Sequence, residues 1–111
     1  MKKDEHYEQV ALVKWLQIKG LRFNATPNGG FRNITTATML KQEGVSAGYP
    51  DINVYLPNKM LCIEMKKKGG KIQPNQKEWI EYLNTLSYCK SKVCFGAVDA
   101  IDFIQGEINA F

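Results

Sequence analysis

Cysteine is scarce in this chain. Only Cys62, Cys89 and Cys94 occur in 111 residues, an odd number without CxxC spacing. Neither a disulfide framework nor a zinc knuckle is indicated, and structural thiols in a reducing cytoplasm are the expectation. Long apolar runs are also missing. No stretch reaches the roughly 18 consecutive apolar residues of a membrane-spanning helix. The N-terminal MKKDEHYEQ has the basic start of a signal peptide, but acids follow where an apolar run of about 7–15 residues is needed, so no export is implied. Internal repeats, low-complexity tracts and linkers are absent too. Histidine is represented by His6 alone, which reads as an exposed first-turn residue rather than a general base. Acids are outnumbered by bases, 11 to 15, and the net charge of +4 is a mild indication of polyanionic partners such as nucleic acid.

What is present suits one globular domain spanning residues 1–111, with 44% hydrophobic and 23% charged residues. An amphipathic pattern from Asp4 to Lys19 predicts a helix ended by Gly20. Leu21-Arg22-Phe23 predicts a short strand, TPNGGFRN a loop, and Ala37 to Glu43 a short helix stopped at Gly44. DINVYL and MLCIEMK, separated by PNK, form a β-hairpin. After the basic loop KKGGKIQ, Pro74 opens a helix reaching Leu86. A strand at Lys92 to Val98 and a final helix from Asp99 complete an α/β or α+β arrangement, a central sheet flanked by helices. Trp15 and Trp79 fall at helical core spacing and read as packing residues.

Within the hairpin, Glu64 and Lys66 share one strand face while Ile63 and Met65 point to the other. A turn centred near Asn58 sets Asp51 opposite residues close to Met65. Two carboxylates this close repel each other unless a cation lies between them. Oxygen ligands from Asp51 and Glu64, with the Met65 backbone carbonyl and water, suit Mg²⁺ or Mn²⁺ far better than zinc. Lys66 then stands where it can orient or deprotonate the attacking water. An isolated ExK triplet is more often a structural ion pair; the preceding Pro50-Asp51 at hairpin distance favours the functional reading.

Around this centre, Lys67, Lys68 and Lys71 with Gly69 and Gly70 can approach and neutralise phosphates. Asn28, Gly29, Gly30 and Arg32 can wrap a nucleic-acid backbone, with Phe31 stacking on an unpaired base. A plain mobile loop is an equal reading of that segment.

GYPD at residues 48–51 followed by IEMK at 63–66 resembles the PD-(D/E)XK nuclease signature. Glu8 in the first helix, the NGG loop, EGVSAGYPDI, the glycine-rich stretch after the strand and Gln76 narrow the resemblance to the VRR-NUC family. It spans about residues 5 to 86. The resemblance implies a restriction-endonuclease-like core, an α/β fold with a mixed sheet that contains the antiparallel hairpin. It implies Asp51 and Glu64 as metal ligands, Lys66 as the catalytic lysine, and Glu8 and Gln76 as supporting catalytic residues. Small standalone members resemble phage or prophage junction-resolving nucleases. The expectation is therefore a homodimeric, Mg²⁺- or Mn²⁺-dependent endonuclease that cuts branched DNA in the cytoplasm. Flap or general nicking activity, or binding without cleavage, are the alternatives.

Overall fold

The computed structural model describes residues 3–27 and 34–110. Its order is α1 (Lys3–Lys19), β1 (Arg22–Ala25), α2 (Ile34–Gln42), β2 (Ile52–Leu56), β3 (Lys59–Lys66), α3 (Pro74–Leu83), β4 (Cys89–Phe95) and α4 (Ala97–Asn109). The strands form one mixed sheet in the order β1-β2-β3-β4. β1, β2 and β3 are successively antiparallel, whereas β4 returns parallel to β3 through α3. This is the α/β core with a central hairpin that the sequence implies.

Alternation along the strands assigns each helix to a face. Ile52, Val54, Leu61, Ile63 and Met65 pack with Leu12 and Leu16 of α1 and with Ala97, Ala100 and Ile104 of α4. The opposite face carries Cys62 and Cys89 against Leu83, Trp79 and Tyr49 on the α3 side. All three cysteines are buried free thiols. Burial pushes both Cys89 and Cys94 up to about 12, so they behave as packing groups.

Several element ends differ from the sequence reading. α2 begins at Ile34 rather than Ala37 and has no buried residue. α3 stops at Leu83, where Asn84 turns aside: its side-chain oxygen accepts the Ser91 N–H and its amide donates to the Ser91 carbonyl. β4 begins at Cys89 and ends at Phe95, displaced toward the N-terminus from the expected span Lys92 to Val98. Two bonds explain that end. The Phe95 N–H donates to Asp99 Oδ2, and the Ala97 N–H donates to Glu8 Oε1 at 2.7 Å. Between them Gly96 takes φ +96°, a conformation side chains rarely adopt, and turns the chain directly into α4. Ala97 and Val98 therefore start a helix despite valine's preference for strands.

Candidate active site

The parallel strands β3 and β4 end side by side, Lys66 level with Phe95, and the candidate site gathers at this carboxyl end of the sheet. The hairpin pairs Ile52 with Ile63 and Leu56 with Lys59. Continued by one residue, that register sets Asp51 level with Glu64, within the stretch close to Met65 that the turn predicts. Asp51 is 4% exposed and Glu64 is 3% exposed.

Asp51 is held from both sides of its chain. Its Oδ2 accepts the Met65 N–H at 2.7 Å, and its carbonyl accepts the Thr26 N–H at 2.8 Å. The approach to it depends on Gly48, at φ +93°, where an added Cβ would stand 2.8 Å from the Asn75 backbone. Loop and helix thus meet at a contact that only glycine fits.

Glu64 is the electrostatic centre. Its carboxyl is pushed up to about 9, first by burial, then by hydrogen bonding to Asp51 and by the Asp51 charge, while Lys66 pulls it down. Glu64 Oε2 accepts from Gln76 Nε2 at 3.4 Å. Glu64 Oε1 is buried without a hydrogen-bond partner. An orphaned carboxylate oxygen beside a second buried carboxylate is what a hard cation would satisfy. The donor set fits Mg²⁺ or Mn²⁺ with water filling the remaining positions. No group of three or more His, Cys, Asp and Glu side chains placed to hold a metal ion occurs among the described residues, so the protein's side chains supply only part of such a shell.

Gln76 links this centre to α3. Its Oε1 accepts the Gln73 N–H at 2.8 Å while its amide reaches Glu64, so the first turn of the helix fixes the carboxylate's orientation. Lys66 lies two residues beyond Glu64, on the same strand face, and its charge acts on Glu64. Lys67 is partly exposed and Lys68 and Lys71 are exposed, along the turn closed by the Gly70 N–H to Lys67 carbonyl bond. The Met65 side chain belongs to the core, at 1% exposure. Asn28, Gly29, Gly30, Phe31 and Arg32 lie outside the described residues.

Glu8 and Glu5 divide the roles expected of one acid. Glu8 spends Oε1 on the first turn of α4, tying α1 to the end of β4. The first-helix acid whose charge raises Glu64 is Glu5. Sequence reasoning missed Glu5, although its spacing to Leu12 and Leu16 puts all three on one helix face. It also missed Gln9, one turn further along, whose Oε1 is the other partnerless buried side-chain oxygen among the described residues.

A mixed sheet between helices, with a buried acid pair and a lysine at the end of its central hairpin, defines a nuclease core of the PD-(D/E)XK type. The model of the VRR-NUC domain matches residues 3–97, and the chain belongs to that nuclease family. A solved structure described as a VRR_NUC domain protein is similar at a TM-score of 0.80 and 28% identity, over 98% of this chain and 91% of that one. No curated protein matches.

Proposed function

We propose that the protein is a divalent-metal-dependent, structure-specific DNA endonuclease that works as a homodimer on branched DNA in the manner of a junction resolvase. The observation that carries the chemistry is the buried Asp51–Glu64 pair with its partnerless oxygen. Asp51, Glu64 and the Met65 carbonyl would hold Mg²⁺ or Mn²⁺. Bound there, the cation supplies neutralisation of the acid pair and Lewis-acid activation of the scissile phosphate.

The remaining work falls to the chain's own groups. Lys66, as an ammonium, orients the attacking water and offsets the charge growing on the phosphate; the water's proton passes to bulk solvent as the new phosphorus–oxygen bond forms, and the leaving sugar oxygen takes a proton from solvent as its bond breaks. Gln76 keeps Glu64 in one orientation. Lys67, Lys68 and Lys71, with Asn28, Gly29, Gly30 and Arg32, hold the phosphates on either side. Glu8 supports the site indirectly, by joining α1 to the start of α4.

One observation supports the dimer. α2 and the turn after it present Ile34, Met39 and Val45 to solvent at 86%, 53% and 51% exposure, an apolar surface suited to a second copy. No described helix is long and apolar enough to cross a membrane.

The test is cleavage of labelled four-way junction, flap, linear duplex and single-stranded DNA with Mg²⁺, Mn²⁺ or chelator, beside Glu64→Ala. Paired cuts in the junction that require metal and Glu64 are the expected result. Preference for a flap or nicked duplex would retain the chemistry and change the substrate. Absence of cleavage on every DNA with either metal would leave a binding module.

A further inference from the structure

A groove of about 640 Å³ opens between the segment before Gly48 and the outer side of α3, lined by Ser46, Ala47, Asn75, Glu78, Trp79 and Tyr82. None of these residues belongs to the acid centre, yet the groove adjoins it at two points. Asn75 precedes Gln76, whose amide reaches Glu64. Trp79 meets the ring of Tyr49 edge-on at 5.1 Å, and Tyr49 stands two residues before Asp51. The groove therefore shares its walls with the structure that positions both carboxylates.

Its chemistry selects among possible occupants. Trp79 and Tyr82 lie edge to face at 6.4 Å, and Tyr82 is 58% exposed, so aromatic surface is presented to whatever enters. Every nucleobase offers a π-face to such a surface. Asn75, Glu78 and Ser46 add an amide, a carboxylate and a hydroxyl, the donors and acceptors that pair with base edges. Glu78 disfavours a phosphate in the groove itself. The lysines for the phosphates stand just upstream, at Lys67, Lys68 and Lys71, leading into α3. A backbone on those lysines and a base on Trp79 and Tyr82 is the division of labour of single-strand-binding proteins. The volume also lies within the roughly 300–1,000 Å³ of small-ligand pockets.

We propose that this groove is a stacking pocket for an unpaired nucleobase of the DNA strand being cut. The protein then selects DNA with unpaired nucleotides beside the cleavage point, a specificity that rests on the nuclease reading above. A base drawn from the stack into the groove would fix the strand's register relative to Asp51 and Glu64.

The test uses the full chain in chelator, so that DNA is bound and not cut. 2-Aminopurine is placed in a short unpaired arm at a branch, and in a fully paired duplex of equal length. Stacking should quench emission from the arm, and the arm-bearing DNA should bind at least about tenfold tighter than the duplex, within the worth of one stacked base. Tyr82→Ala removes an exposed ring, and Ala47→Leu fills the groove from an exposed position. Each should abolish the quenching and the tenfold preference while leaving the unfolding midpoint near that of the parent. Unchanged emission in the parent complex, or parental binding by both variants, would overturn the proposal. So would a dimer that Ala47→Leu splits into monomers with quenching intact, because the groove would then belong to a second copy. Cleavage by the parent with Mg²⁺ or Mn²⁺ is scored separately on the same DNA. Quenching without cleavage upholds the pocket and sinks the nuclease reading, and cleavage without quenching does the reverse.

Discussion

The two faces of the β2–β3 hairpin are made from alternate residues of the same strands, and they do opposite things. One buries Ile52, Val54, Leu61, Ile63 and Met65 against α1 and α4. The other buries Asn53 and Glu64 toward α3, with Asp51 just before the strand. Apolar burial stabilises the fold in proportion to the surface removed from water. Polar burial costs stability unless each group finds a partner, and Glu64 keeps one oxygen without any. The difference teaches that stability and chemistry are separated here by one residue of register, not by distance.

The sharpest way to break that comparison is to exchange their consequences. Ile63→Ala, on the apolar face, should lose about 2–5 kcal/mol of stability in denaturant titration while the folded fraction keeps its cleavage rate. A rate that fell with the folded fraction held constant would show the faces to be coupled.

The next effect, on the order of a few kcal/mol, lies in the pH dependence of the metal-free protein. Glu64 has a folded-state pKa of about 9 against an ordinary 4.5. Between those values the folded chain holds a proton that the unfolded chain has released. Its stability in chelator should therefore fall as pH rises from about 4.5 to 9 and level off above. Glu64→Gln should remove that slope, and urea midpoints across the range would show whether it does. Saturating Mg²⁺ should flatten the slope in the parent by favouring the ionised pair.

A smaller change is expected from Gln76→Ala, which removes the hydrogen bond to Glu64 together with the acceptor for the Gln73 N–H at the start of α3. Metal affinity measured by calorimetry should weaken about 10–100-fold, with the fold intact. An unaltered affinity would assign Gln76 to the capping of α3 alone.

Much of this was legible in the sequence, and the exceptions have physical causes. The hairpin could be read because strand periodicity and the Pro-Asn turn agree, and because an acid two residues from a lysine in an apolar run is costly without a purpose. Gly20 and Gly44 mark the ends of their helices as expected. Tyr7, Val10 and Ile18 made α1 look more fully amphipathic than it is, since all three are exposed. That breadth hid the narrower face on which Glu5 joins Leu12 and Leu16, and the acid named in this helix, Glu8, came from the family resemblance. The C-terminal end of β4 was misplaced because Ala97 and Val98 carry no local sign of the Glu8 carboxylate that captures the start of α4. Such a bond joins residues far apart in the chain, and no window of sequence contains both.

The contact between Gly48 and Asn75 has a consequence for genetics. A methyl group at position 48 would press on the first turn of α3 and shift Gln76 from Glu64, without altering any ionisable side chain. In an unbiased screen for loss of cleavage, Gly48→Ala should emerge beside Asp51 and Glu64, with a melting temperature lowered by the strain of alanine at φ +93° and by its contact with the Asn75 backbone. A residue with no side chain would then be under the same selection as the acids.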